Sequence, residues 1–136
     1  IDYGDAHTGI AISDPTGLLA GFTTVINAYR PDRVTGQIAL LAKEHRVERL
    51  VLGHPINMDG TRGPRSEKAQ AMRQLLEETT GLPVVLWDER RTTIDAHQIL
   101  MSSGKNAKKR KKVVDAVAAS LILEGYLTYL KTHPEG

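Results

Sequence analysis

Hydrophobic residues recur along this chain with two different periods. Short apolar stretches at Ile1 to Gly4, Gly9 to Ser13 and Phe22 to Ile26 are separated by turns rich in Gly, Asp and Pro. Such stretches predict three short strands joined as an antiparallel meander. Natural strands usually have about five or six residues, so we expect residues preceding Ile1 to complete the first strand.

From Pro31 onward, apolar residues recur every three or four positions instead. This spacing predicts a helix that begins at Pro31 and a strand at Leu50 to Leu52 that stops at Gly53. The alternation repeats as a helix from Pro64 to Glu78 and a strand from Val84 to Trp87. Because a helix separates consecutive strands, we expect the later strands to be parallel.

Two further helices are predicted near the end of the chain, a short one from Thr93 to Ser103 and a long apolar one from Val113 to Leu130. The chain has 136 residues and contains no internal repeat or linker, so residues 1–136 are expected to form a single domain. The predicted fold class is α/β, with a mixed five-stranded sheet, an antiparallel meander followed by parallel strands, flanked by helices.

Composition removes several classes of protein. The chain contains no cysteine, which excludes disulfides, thiolate catalysis and cysteine-ligated metal sites. With 40% hydrophobic and 25% charged residues it has the composition of a folded globular protein. No apolar stretch approaches the roughly 18 residues of a membrane helix, and no signal-peptide pattern is found. We therefore expect a cytoplasmic protein.

The net charge of +2 conceals a local concentration of positive charge. Six cations fall between Lys105 and Lys112, whereas the other 128 residues carry 12 basic and 16 acidic side chains, a net of −4. A block of this kind is either a solvated surface segment or a patch that binds phosphate. Its position directly before the last predicted helix favours phosphate binding.

Three acidic residues stand where burial should exclude them. Asp2 interrupts an apolar strand, and Glu89 follows the strand Val84 to Trp87 at its carboxyl end, where open α/β sheets bind their ligands. Asp115 lies on the apolar face of the last helix. A buried carboxylate costs several kcal/mol unless it is paired, neutralised or bound to a metal.

Each acid has an ordinary alternative explanation. Asp2 would bond to a neighbouring turn, and Glu89 would pair with Arg90 or Arg91. Asp115 would be a first-turn residue favoured by the helix dipole. Taken together, however, three carboxylates from two strands and a helix fit a hard-cation site, because carboxylate and phosphate oxygens suit Mg²⁺ or Mn²⁺.

Polar residues near these acids point to phosphate. The segment from Asp88 to Thr93 supplies two arginines and two threonines directly after the strand. The loop from Gly53 to Pro64 is long and Gly-rich, which is typical of either a substrate loop or a mobile surface loop. The histidines have no metal-binding spacing and are interpreted as structural or surface residues.

Four sequence blocks occur in register: IDYGDAHTGIAISDP, LVLGHPINMDGTRG, LWDERRTT and VVDAVAASLIL. With these blocks the sequence resembles the YqgF family, also called RuvX, bacterial proteins described as pre-16S ribosomal RNA nucleases or Holliday junction resolvases. The resemblance covers nearly the whole chain and implies an RNase H-like fold. It departs from the family pattern at His7 and Thr8, where many members carry Lys or Arg.

The resemblance implies a nuclease that hydrolyses phosphodiester bonds with the help of metal ions. Asp2, Glu89 and Asp115 would hold two Mg²⁺ or Mn²⁺ ions about 3.5 to 4 Å apart. The expected nucleic-acid contacts are Arg90, Thr92, Lys108, Lys109, Arg110 and Lys111. The expected substrate is structured nucleic acid, foremost the 5′ region of precursor 16S ribosomal RNA.

Other functions remain open at this point. A four-way DNA junction is the alternative substrate, and a non-catalytic nucleic-acid-binding module is the alternative of another class. The block DYGDAHTG also resembles the phosphate loop of actin-like ATPases and sugar kinases, but those need two such lobes and this chain has room for one. We expect a monomer or a weak homodimer that has no contact with membranes.

Overall fold

The computed structural model describes residues 1–16, 20–55, 63–88 and 107–132, with side chains in the last range from Ala116 onward. Its elements, in chain order, are β1 (His7–Ser13), β2 (Ala20–Asn27), α1 (Pro31–Glu44), β3 (Leu50–His54), α2 (Pro64–Thr80), β4 (Val84–Asp88) and α3 (Ala107–Thr132). The helix predicted from Thr93 to Ser103 lies outside the described residues. The order of strands and helices predicted from the sequence is thus confirmed from β1 to β4.

The strands form two pairs of opposite kind. Strands β1 and β2 are antiparallel, with Gly9 opposite Val25, and a register shift follows Ile12. Strands β3 and β4 are parallel, and their ladder runs from Leu50 opposite Val84 to the last residues of both strands. The mixed sheet expected from the sequence, with antiparallel strands first and parallel strands later, is therefore confirmed.

The first residues of the chain connect the two pairs. Asp2 and Gly9 exchange both backbone hydrogen bonds at 2.9 Å, as antiparallel neighbours do. On the other side, the Ile1 nitrogen donates to the Val51 carbonyl at 2.7 Å, and the Gly53 amide donates to the Ile1 carbonyl at 2.9 Å. That second pattern is parallel. The strand predicted at Ile1 to Gly4 is thus observed only as this short bridge, and the structure assigns four strands in the described residues.

Local sequence explains where the helices begin and end. Pro31 and Pro64 stand at the first turns of α1 and α2, where the missing N–H of proline costs nothing. Helix α2 ends at Gly81, whose φ of 70° places it in the left-handed region that glycine adopts without strain. Both helices therefore begin at the predicted residue, and α2 ends two residues beyond its predicted limit.

The sheet has two apolar faces, each covered by different helices. Ile1, Ile10 and Leu52 pack with residues of α1 and α2, including Val34, Ile38, Met72 and Leu76. The opposite face packs on α3, where Ile122 and Tyr126 are buried against Val51. Successive residues of each strand alternate between the two faces, since strand side chains have a period of two. We call these the α2 face and the α3 face.

Small residues on β1 allow α3 to approach the sheet. Thr8 and Ile10 are buried on the α2 face, so the alternating positions Gly9 and Ala11 lie on the α3 face. Helix α3 packs over β1 and β2 as well as β3, and Ala119 on this helix is fully buried. Short side chains on both partners bring the helix backbone close to the strand that pairs with Asp2.

The last helix begins six residues earlier than its sequence predicted. Helix α3 starts at Ala107, so Lys108, Lys109, Arg110 and Lys111 lie within it rather than in a stretch before it. Alanine, lysine and arginine are all strong helix formers, and no Gly or Pro interrupts them. Asp115 consequently lies eight residues beyond the start, which rules out its alternative interpretation as a first-turn residue. Among the described helices, none is long and apolar enough to cross a lipid bilayer.

Candidate active site

The carboxyl ends of β3 and β4 lie at one edge of the sheet, which we call the carboxyl edge. Ile1 pairs with Leu52 in the parallel direction, so Asp2 stands beside Gly53, one residue before the end of β3. The Asp2 side chain is half-buried. Ligands of parallel sheets bind at this edge because the strands end there and leave space between the following loops.

The face on which Asp2 lies follows from its neighbours. Ile1 and Tyr3 both pack into the core on the α2 face, so the alternating residue Asp2 lies on the α3 face. Its hydrogen-bonded partner Gly9 has no side chain and lies on the same face. Asp2 therefore lies on the same side of the sheet as the helix that carries Asp115.

His54 ends β3 on the opposite face. Its Nε2 lies 2.6 Å from the Oγ of Ser66, a fully buried residue in the first turn of α2. Gln70 donates to the same oxygen at 3.3 Å. Because His54 pairs with Asp88 in the parallel ladder, position 88 shares the α2 face. Asp88 therefore lies on the face opposite Asp2, and the hydrogen bond of His54 within the core agrees with the structural role expected of it.

The first turn of the chain joins Asp2 to β1. A side chain at Gly4 would collide with the His7 carbonyl oxygen, so only glycine fits this turn. The Ala28 amide donates to the Ala6 carbonyl at 3.1 Å and fixes the turn against the end of β2. The turn therefore has a defined shape in the folded protein.

Two residues of this turn stand where the family pattern has a cation. The His7 Nδ1 donates to Asn27 Oδ1 at 2.6 Å, across the β1–β2 pair. Thr8 is fully buried, and its Oγ1 has no hydrogen-bond partner within the described part of the chain. Thr8 therefore has no exposed surface with which to contact a phosphate.

A cation reaches the first turn from α2 instead. The Nζ of Lys68 lies 3.0 Å from Oδ1 of Asp5. This hydrogen bond, together with the positive charges of Lys68 and Arg65, holds the pKa of the Asp5 carboxyl below its usual value. Burial and the nearby Asp5 charge raise the pKa of the Tyr3 phenol, which stays protonated at neutral pH. A small cleft lies here, lined by Tyr3, Gly4, Asp5, Gly53, Pro55, Arg65, Lys68 and Ala69.

A larger cavity lies elsewhere. A groove of about 1180 Å³ runs between β1, the start of β3 and the last turns of α3, with a lining that includes Ile12, Leu41, Leu123 and Leu127. It is mostly apolar and contains none of the residues predicted to act on phosphate. Size alone therefore does not identify the functional site, whereas the small cleft at the first turn is lined by the charged side chains of Asp5, Arg65 and Lys68.

Several predicted site residues lie beyond what the structure describes. Glu89, Arg90 and Thr92 fall outside the described residues, and for Asp115 and the four cations of α3 only the backbone position is given. Among the described side chains, no group of three acids or histidines is arranged to hold a metal ion. Asp2 is thus the one predicted ligand whose side-chain environment is defined.

Sequence reasoning did not identify Arg65, Lys68 and Asp5 as neighbours. Asp5 and Lys68 are 63 residues apart in the chain, and no spacing rule connects a turn with a later helix. A usable signal was present, because Arg65 and Lys68 are three residues apart directly after Pro64. That spacing places both cations on one side of the first turns of a helix.

Comparison with known proteins agrees with these features. A family model described as "RuvX: Holliday junction resolvase" matches residues 1–129. A relative from Halothermothrix orenii is 43% identical over 129 residues, 95% of this chain and 92% of its own. A relative from Bacillus subtilis is 43% identical over 132 residues, 96% of each chain. Both are named as candidate pre-16S rRNA nucleases.

Solved structures show the same fold at much lower identity. Thermus thermophilus RuvC in complex with a Holliday junction substrate is 14% identical, with a TM-score of 0.59 over 96% of this chain and 94% of that one. A second structure of Thermus thermophilus RuvC is 15% identical with a TM-score of 0.53. The RNase H-like fold class expected from the sequence is therefore confirmed.

Proposed function

This chain belongs to the RuvX family, and we propose from that membership that it is a nuclease, a hydrolase that cleaves phosphodiester bonds in structured nucleic acid. Its proposed natural substrate is precursor 16S ribosomal RNA, the substrate in the names of its relatives. Maturation of ribosomal RNA would place the protein in the cytoplasm. The observation that carries the proposal is the position of Asp2 at the carboxyl edge, on the face covered by α3.

The proposed catalytic group consists of Asp2, Glu89 and Asp115. Val85 and Trp87 pack on the α3 face. If the strand continued for two more residues, position 89 would lie on that face as well. Ala119, Ile122 and Tyr126 form the buried stripe of α3. Position 115 lies four, seven and eleven residues before them, a spacing that puts it on the same side of the helix. Strand alternation and helix periodicity thus support the same face for all three acids.

The donor set fits a hard divalent cation. Carboxylate oxygens are the protein ligands that Mg²⁺ and Mn²⁺ prefer, and Asp2 is a half-buried carboxylate. When bound, such a cation would lower the pKa of a coordinated water and neutralise charge on the phosphate. Asp2, Glu89 and Asp115 are the residues that would hold it.

The remaining residues bind and orient the substrate. Arg90 and Thr92 would contact the phosphate next to the acids, and cations at the start of α3 would contact the backbone farther away. The position of Asp2 is fixed by its two backbone hydrogen bonds to Gly9, which hold the carboxylate in place before substrate arrives. Few aromatic residues are present, 4% of the chain, so backbone contacts rather than base stacking are expected.

The test is the replacement of Asp2 by Asn, which keeps the shape of the side chain and removes its charge. We expect cleavage to be lost while binding of the nucleic acid is retained. Thermal stability should be unchanged or higher, because crowded carboxylates repel one another when no cation is bound. Asp115→Asn should behave in the same way.

The matched control is Glu44→Gln, which removes an exposed carboxylate at the end of α1 and should leave cleavage unchanged. All variants are purified identically so that a contaminating nuclease would appear in each. Normal cleavage by the Asp2→Asn variant in Mg²⁺ would show that the proposed nuclease site is wrong.

A four-way DNA junction is the second candidate substrate, favoured by the family description as a Holliday junction resolvase. Cleavage of a structured precursor RNA and of a synthetic junction should be compared, with Mg²⁺ and Mn²⁺ tested separately. A resolvase needs two active sites, so preference for the junction should be accompanied by a dimer in sedimentation experiments. Binding of both substrates without cleavage under any of these conditions would favour a non-catalytic module instead.

A further inference from the structure

We propose that Arg65 and Lys68 form a phosphate-binding subsite in the cleft between the first turn and α2, which holds the nucleic-acid backbone on the α2 face, opposite the face on which Asp2 lies. The proposal deepens the proposed function and rests on it, since the bound phosphodiester would belong to the substrate of the nuclease. It identifies two backbone contacts outside the basic segment of α3 and outside the segment that follows β4.

The two cations share one side of α2. They are three residues apart in the first turns of the helix, and both line the same cleft together with the backbone of Gly4 and Gly53. The cleft opens at the carboxyl edge, where β3 ends. Outside the cluster from Lys105 to Lys112 the chain has a net charge of −4, so two neighbouring cations at this edge are not a general property of the surface.

The ion pair in the cleft resembles the contact that a phosphodiester would make. Lys68 donates to an Asp5 carboxylate oxygen at 3.0 Å, while the side chains of Lys68 and Asp5 remain 59% and 82% exposed. An exposed ion pair of this kind contributes little stability, so a phosphate oxygen replaces the carboxylate oxygen at small cost. Asp5 then acts as an internal competitor for Lys68 in the unbound protein.

The subsite lies within reach of the proposed catalytic group. Asp2 and Asp5 are three residues apart, so their Cα atoms are at most about 11 Å apart. One strand of a nucleic acid carries a phosphate about every 3.4 Å along its axis. The Cα separation of Asp2 and Asp5 therefore corresponds to about three phosphate spacings or fewer. The first turn between them is held by the hydrogen bond from the Ala28 amide to the Ala6 carbonyl.

The first experiment measures binding without cleavage. Dissociation constants of a fluorescein-labelled four-way DNA junction and of a labelled RNA hairpin are measured by anisotropy, without divalent cations, between 50 and 200 mM salt. For the junction, Arg65→Gln/Lys68→Gln should reduce the slope of log affinity against log salt by about 1.8. Over this fourfold salt range, the wild type should then lose about twelvefold more affinity than the variant.

The matched control removes one cation from α1 and one from α2, both outside the lining of the cleft. Lys43→Gln/Arg73→Gln changes the net charge equally, with Lys43 in the last turn of α1 and Arg73 paired with Glu77 farther along α2. Its slope should equal that of the wild type. Arg65→Lys/Lys68→Arg preserves both charges and should restore the wild-type slope. Equal slope reductions in the two charge-removing variants would overturn the subsite.

A double-mutant cycle tests the competition between Asp5 and phosphate. Asp5→Asn should tighten binding about two- to fivefold when Lys68 is present, the range expected from loss of an exposed ion pair. In the Lys68→Gln background the same change should have no effect. An equal gain in both backgrounds would mean that Asp5 acts only through net charge, which would contradict the proposed displacement.

The outcomes separate this proposal from the proposed function. If the wild type cleaves its substrate but Arg65→Gln/Lys68→Gln does not change the salt dependence of binding, the subsite is refuted and the proposed nuclease function stands. A protein that shows the expected slopes, but in which Asp2→Asn does not alter cleavage, would refute the nuclease site and leave the subsite.

Discussion

We expect the cations at the start of α3 to bind fewer phosphates at once than their number in the sequence indicates. Consecutive residues of an α-helix are rotated by about 100°, so four consecutive positions cannot share one side. Positions 108 and 111 fall on the stripe that also contains position 115 and the buried Ala119, whereas positions 109 and 110 fall outside it. We expect the phosphate contacts to come from the first pair.

The magnitude follows from the count of contacts. Four contacts would contribute about 3.6 to the slope of log affinity against log salt for duplex DNA, but two contribute only about 1.8. Lys108→Gln/Lys111→Gln should therefore reduce the slope by about 1.8, while Lys109→Gln/Arg110→Gln serves as the matched control and should leave it nearly unchanged. Glutamine is as good a helix former as lysine, so circular dichroism should show the same helix content in both variants.

The assay is anisotropy of a labelled duplex across a range of salt concentrations, repeated with two unrelated base sequences. Because the contacts are to the backbone, the first pair of substitutions should weaken binding equally for both sequences. Equal slope changes for the two pairs would refute the reasoning from the helix stripe. If neither pair changes the slope, the cluster from Lys105 to Lys112 is a solvated surface segment that does not bind phosphate.

Three further predictions concern the scaffold and the first turn. Gly81→Ala should lower the free energy of unfolding by about 1 to 2 kcal/mol, because alanine is strained in the left-handed region. Gly36→Ala inside α1 should raise the free energy of unfolding by about 0.5 to 1 kcal/mol. An added Cβ meets no atom within 4 Å at either position, and urea unfolding measures both changes. Leu52→Ala, at a fully buried position, should cost about 2 to 5 kcal/mol in the same measurement. The Asp5 pKa, followed by NMR, should lie below the usual value and rise in Lys68→Gln. The pKa of Asp5 is lower in the folded protein than in the unfolded chain, so the Asp5–Lys68 pair stabilises the fold at pH above the unfolded-state pKa. This stabilisation is lost as the pH falls through the folded-state pKa.

Periodicity predicted the alternating part of the fold well for a physical reason. In β3, α2 and β4 the burial requirement of each element is met by its own apolar residues, such as Leu52, Leu76 and Val84. The first segment was harder, because its pairing depends on partners in β1 and β3 rather than on its own pattern. The start of α3 was missed because a block of charge indicates a loop, although lysine and arginine favour helix.

The residues of the candidate site also differ in whether the sequence alone could identify them. A carboxylate within an apolar stretch is visible in the sequence, so Asp2 was identified from its neighbours alone. The contact between Asp5 and Lys68 arises only when a turn and a distant helix fold together, and the same is true of His54 and Ser66. Such contacts depend on how α2 lies on the sheet, which local patterns do not specify.

The division of the sheet into two faces also keeps Arg65 and Lys68 apart from Asp2. If Arg65 or Lys68 lay beside Asp2, a guanidinium or ammonium group would pair with its carboxylate and compete with any divalent cation for the same oxygens. Alternation along the first strand places Asp2 on the α3 face and Tyr3 on the α2 face, and the turn then brings Asp5 rather than Asp2 to Lys68. The Asp2 carboxylate is therefore not paired with the cations of the proposed subsite.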